Sequence, residues 1–120
     1  MPRRDWSMRV RDILEAIDRI GLYVAGMSKE QFIADQRTID AVVRNLIVLG
    51  EAAKHVPADV VARSSTIPWP DMAGMRDVVV HEYFGVSLDI LWETVLTDLP
   101  PLAPLLRKLL DDHDMRQQEK

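Results

Sequence analysis

The chain has 120 residues, 48% of them hydrophobic and 28% charged, with no cysteine and a formal charge of −4. That composition belongs to a single folded domain with a real core, and it excludes a disulfide framework, a thiolate nucleophile and a thiolate metal site. A net negative charge also argues against a protein that coats nucleic acid by bulk attraction, so any RNA contact must be local.

The N-terminus, Met1-Pro2-Arg3-Arg4-Asp5-Trp6-Ser7, is basic but leads into an amphipathic stretch without a long apolar run. No signal peptide or membrane span is expected, and the cytoplasm is the default location. From Arg4 to Ala25, Trp6, Val10, Ile13, Leu14, Ile17, Ile20, Leu22 and Val24 recur mainly at intervals of three and four, which predicts an amphipathic helix. Gly26 is its expected stop. Ser28 followed by Gln31 has the form of a capping box and opens a short second helix through Phe32 and Ile33.

The next long helix is expected from Gln36 to His55, with Ile39, Val42, Val43, Leu46, Ile47, Leu49 and Ala53 as its apolar stripe. Gly50 falls inside it. A mid-helix glycine costs about 1 kcal/mol against alanine, so its presence predicts close approach of another helix. His55 suits a helix C-terminus, where the dipole favours positive charge. A short turn or helix follows from Pro57 to Ala62, then a polar connection at residues 63–68.

Pro70 and Asp71 suit the first turn of a central helix and Gly85 its end. Val78-Val79-Val80 would favour a strand in isolation, but nothing else in the chain offers a partner strand, so helix is the better reading. Ser87 then caps a helix from Leu88 to Thr97, with Leu91, Trp92, Val95 and Leu96 facing inward. Pro100 and Pro101 open a last helix carried by Leu102, Leu105, Leu106, Leu109 and Leu110. The sum is an all-α, antiparallel bundle of four main helices plus short pieces, a single domain over 1–113 with a polar, frayed tail at 114–120. Arg3, Arg4, Arg9 and Arg11 make one basic edge, and Asp111, Asp112, Asp114 and Glu119 an acidic end, although solvated helix faces account for the asymmetry almost as well.

The reactive side chains concentrate between Trp69 and Val86. Arg76, Asp77, His81, Glu82 and Tyr83 fall within eight positions. Arginine is a permanent cation suited to phosphate, and histidine can give and take a proton near neutrality, so the pair is a minimal kit for cleaving a phosphodiester without metal. On a helix Arg76 and His81 lie roughly 140° apart, so one helix presents them poorly to a single phosphate. Two copies meeting across a two-fold axis converge better. Asp77 and His81, four apart, share a face, so Asp77 can orient the imidazole. The spacing alone is weak, since Arg-x4-His also arises from a surface ion pair beside a structural histidine. A metal site is not supported, because His55, His81 and His113 are dispersed and no His-x3-His occurs. No glycine-rich phosphate loop or serine nucleophile elbow is present. The three tryptophans sit at core-like positions.

The wording around the pair carries more. Ile67-Pro-Trp-Pro-Asp-Met-Ala-Gly-Met-Arg-Asp-Val-Val-Val-His-Glu-Tyr-Phe-Gly-Val86, followed by Leu88-Asp-Ile-Leu-Trp92, resembles the HepT-like family of HEPN-domain proteins. The likeness extends to Arg11-Asp12-Ile13-Leu14-Glu15-Ala16-Ile17, to Asp40-Ala41-Val42-Val43-Arg44-Asn45-Leu46, to Gly50-Glu51-Ala52-Ala53-Lys54 and to Asp98-Leu99-Pro100. The family motif Arg-x4-His-x-Tyr falls on Arg76, His81 and Tyr83, and Asp77 conforms to the motif's second position. The resemblance implies a HEPN-like bundle acting as a metal-independent ribonuclease toxin in a homodimer, with Arg76 and His81 of both protomers lining a shared cleft. It further implies a type VII toxin-antitoxin pair. A minimal nucleotidyltransferase antitoxin would use ATP, which this chain does not, to place AMP on Tyr83. Two rivals remain open: a non-catalytic HEPN dimer module that binds a nucleotide or protein, and a purely structural dimer in which Glu51, Arg44 and the motif helix form an interface network.

Overall fold

The computed structural model describes residues 5–82 and 87–118, the side chains of 77–82 excepted. Among the described residues every regular element is helical. The elements are α1 (Trp6–Val24), α2 (Lys29–Ile33), α3 (Gln36–Lys54), α4 (Ala58–Arg63), α5 (Trp69–Glu82), α6 (Leu88–Glu93) and α7 (Leu102–Gln118). The all-α bundle expected from the periodicity is the fold observed.

Local chemistry sets the boundaries. Asp5 accepts from the Ser7 amide at 3.1 Å to start α1, and Gly26, at φ 74°, turns the chain after α1 ends. Ser28 and Gln31 form the expected reciprocal capping box: the Gln31 amide donates to Ser28 Oγ at 3.1 Å, and the Ser28 amide donates to Gln31 Oε1 at 2.8 Å. Asp35 caps α3 by accepting from the Thr38 amide at 3.2 Å, which holds its carboxyl below the ordinary carboxylate value. Ser87 caps α6 as expected. His55 ends α3, its Nδ1 2.8 Å from the Glu51 carbonyl oxygen.

α1 and α7 run antiparallel, since Arg11 pairs with Asp114 at 3.3 Å and Asp18 with Arg107 at 3.7 Å. Arg11 of the basic edge and Asp114 of the acidic end are therefore brought together. Residues 114–118 continue α7 as helix. The core joins Val10, Ile13 and Ile20 of α1, Val42, Leu46 and Leu49 of α3, Met72 of α5, and Leu106 of α7, all at most 2% exposed. Phe32 anchors α2 against Trp92 of α6, ring centroids 5.0 Å apart. Trp69 is buried with its indole N–H donating to Ser64 Oγ at 3.0 Å, while the Ser64 hydroxyl donates to the Val60 carbonyl oxygen. The entry to α5 is thereby pinned to the end of α4.

Two inward assignments are corrected. Leu22 is 75% exposed, because it lies off the stripe running through Ile13, Ile17, Ile20 and Val24. Leu96 is 50% exposed. Past Glu93 the helix loosens into a π turn over Thr94–Asp98, with the Leu99 amide donating five residues back to the Thr94 carbonyl at 3.1 Å. Val95 and Leu99, rather than Leu96, continue the buried face set by Leu91 and Trp92.

α5 is helical throughout despite its three consecutive valines. Tertiary packing overrides their strand preference, because α3 and α5 are the most extensively packed pair among the described residues. The expected stop at Gly85 lies outside the described residues.

Candidate active site

Arg76 sits seven residues into α5, directly against Gly50 of α3. A Cβ built on Gly50 would fall 2.7 Å from the Arg76 amide nitrogen and 3.0 Å from its Cα, and nearer still to its Cβ. Only a residue without a side chain lets the two backbones come this close. The helix contact that the mid-helix glycine predicted is thus the contact that positions the motif arginine.

The next residue of α3 completes the arrangement. Glu51 Oε2 lies 2.9 Å from Arg76 Nε, an ion pair by distance rather than an aligned hydrogen bond, the Nε–H pointing off the line between the two atoms. The Arg76 side chain is 30% exposed and that of Glu51 47%, so the pair stands at the surface and contributes little to stability. Its effect is electrostatic: the carboxylate places a negative charge 2.9 Å from Nε, at the point where α3 and α5 touch. In the sequence Glu51 stood out only as part of an interface network. Its position directly after the close-packing glycine was the available signal, and it was missed because sequence spacing does not show which helix lies opposite.

Asp77 and His81 follow Arg76 on α5, whose backbone is helical through Glu82. Five residues separate Arg76 from His81 around that axis, and four separate Asp77 from His81, as the sequence reading required. The side chains of Asp77 and His81 lie outside the described residues, and so does Tyr83. Among the described residues no group of three or more His, Cys, Asp or Glu side chains is placed to hold a metal ion. Nor is any described helix long and apolar enough to cross a membrane.

A helical bundle that seats Arg76 of its motif against a glycine of the neighbouring helix now has a family to stand in. The chain belongs to the Ribonuclease HepT-like family, whose model matches residues 13–109. It is 42% identical to "Probable ribonuclease HepT" of Thermococcus cleftensis over 89% of this chain and 97% of that protein. It is 39% identical to "Putative RNase MJ1216" of Methanocaldococcus jannaschii over 93% of each. A bacterial relative, "Putative RNase TTE0752" of Caldanaerobacter subterraneus, is 42% identical over 72% of this chain and 78% of its own length. No solved structure matches the chain.

Proposed function

We propose that this protein is a cytoplasmic, metal-independent endoribonuclease toxin that cleaves RNA at a composite site in a homodimer. The observation that carries the proposal is Arg76, seated on Gly50 and paired with Glu51, five residues before His81 on one helix. Family membership and the ribonuclease names of the relatives support the choice of RNA as substrate.

In this reading His81 takes the proton from a ribose 2′-hydroxyl, or returns one to the departing 5′-oxygen, a role worth about two to four orders of magnitude in rate. The 2′-oxygen bonds to phosphorus as the bond to the 5′-oxygen breaks, leaving a 2′,3′-cyclic phosphate. Arg76 offsets the charge building on the phosphoryl oxygens. Asp77 keeps the imidazole in the required tautomer. The protein is the toxin of a type VII pair. A nucleotidyltransferase antitoxin would silence it by joining the Tyr83 phenol oxygen to the α-phosphorus of ATP and releasing pyrophosphate. The AMP left on Tyr83 would put a phosphate and bulk beside Arg76, where substrate phosphate would sit.

Incubation of the purified protein with total RNA in EDTA tests this. Fragments are expected from the wild type and none from His81→Ala or Arg76→Ala with the dimer intact; a fully active His81→Ala protein refutes the assignment. In a non-catalytic HEPN module that binds a nucleotide or partner, the same Arg76 and His81 would only hold phosphate. That reading predicts ligand binding without any RNA fragment in the same experiment.

A further inference from the structure

At the end of the bundle where α3 finishes, two segments far apart in sequence converge on Trp6. The Arg63 guanidinium lies over its indole, 5.7 Å from the ring centroid. His113 meets its edge, ring centroids 4.5 Å apart at 62°. With Leu109, Asp112 and Arg116 these side chains line a surface depression of about 80 Å³. Trp6 thus serves as a wall on which two nitrogen-bearing side chains are set, Arg63 through cation–π attraction and His113 edge to face. Of the acidic residues here, Asp112 lines the depression and pairs with Lys108 at 3.0 Å, and Asp114 pairs with Arg11 at 3.3 Å. What the depression offers is the donor-rich side of Arg63, Arg116 and His113, although the chain as a whole carries a formal charge of −4.

Arg76 belongs to the same end. It faces Gly50, four residues before α3 stops, while Arg63 closes α4, the next helix along the chain. Trp69, which opens α5, is hydrogen-bonded to Ser64 beside Arg63, and Arg76 follows seven residues later, about 10 Å along the helix.

We propose that Trp6, Arg63, His113 and Arg116 form a second phosphate subsite that holds the RNA backbone away from the bond being cut. The proposal rests on the ribonuclease reading above and adds the way the strand is gripped. An acidic protein needs such a site, because its net charge gives no general attraction for RNA.

The test is fluorescence anisotropy of a 2′-O-methyl RNA of about twelve nucleotides, which lacks the attacking hydroxyl, across a range of salt concentrations. Losing two phosphate-contacting cations should flatten the slope of log K against log salt by about 1.4. It should also weaken binding about ten- to a hundredfold. Arg63→Ala with Arg116→Ala is expected to show both changes on the long oligonucleotide and neither on one of about three nucleotides, too short to span the sites. The charge-retaining pair Arg63→Lys with Arg116→Lys should keep the wild-type slope. Arg116→Ala alone, at an exposed position, should flatten it by about 0.7 and keeps the test valid if the Arg63 change disturbs folding. Wild-type slope and affinity in both alanine variants overturn the subsite while leaving the ribonuclease reading standing. A wild-type protein that binds no RNA at low salt overturns both.

Discussion

Gly50→Ala puts a methyl group where α3 and α5 touch. The added Cβ would lie 2.7 Å from the Arg76 amide nitrogen and 3.0 Å from its Cα, and both are backbone atoms that cannot rotate away. Restoring ordinary contact near 3.5 Å requires α5 to move off α3 by about 1 Å. Overpacking of this kind costs about 1–3 kcal/mol, while replacing a helical glycine returns about 1 kcal/mol of propensity. The net expectation is a loss of up to about 2 kcal/mol, or up to about 8 °C in Tm for a chain of this size. Activity should suffer more than stability, because a shift of about 1 Å in a charge-stabilising group can cost about a hundredfold in rate. Gly21→Ala is the matched control. That glycine also lies within a helix, but nothing approaches its Cβ position within 4 Å, so alanine there should raise stability by up to about 1 kcal/mol and leave cleavage unchanged. Urea unfolding and RNA cleavage on both variants decide the matter. A Gly50→Ala protein that gains stability as Gly21→Ala does, with wild-type cleavage, would mean that the close approach does not position Arg76.

Glu51→Gln keeps the side-chain shape but removes the charge that faces Arg76 Nε, so kcat should fall about tenfold. KM should change less, and Tm should stay within about 2 °C, because an exposed ion pair contributes little to stability; unchanged kcat would remove Glu51 from the site. Asp35 gives a pH signature. Its carboxyl is held below the ordinary value chiefly by the Thr38 amide, so its capping contribution is complete above the ordinary carboxylate pKa and is lost as pH falls through the lowered one. Asp35→Asn, which still caps, should match the wild type in Tm near pH 7 and show a shallower decline between about pH 5 and 2.5. Identical acid limbs in the two proteins would contradict that assignment.

Much of this architecture was legible because it is written locally. Caps at Ser28 and Ser87, first-turn residues such as Pro70 and Asp71, the left-handed Gly26, and apolar residues at helical intervals each act within a few residues of themselves. Gly50 carried information across the fold, since a glycine inside a helix of otherwise good formers has little reason to be there without a neighbour. What the sequence withheld depended on which helices lie side by side. The pairing of Arg11 with Asp114 and the gathering of Trp6, Arg63 and His113 arise only once α7 runs back along α1. The identity of the residue that would hold Arg76 needed α3 to be laid against α5 in register. Leu96 was misassigned because a π turn changes the helical period partway along, and no residue in Thr94–Asp98 announces it.

The central claim is that one RNA phosphate is handled by Arg76 of one protomer and His81 of the other. Mixing Arg76→Ala protein with His81→Ala protein, each inactive alone, and allowing subunits to exchange tests it directly. A site shared across the two-fold predicts that mixed dimers regain one intact pair, restoring about a quarter of wild-type cleavage. No recovery, once subunit exchange has been verified by mass, would contradict a composite site.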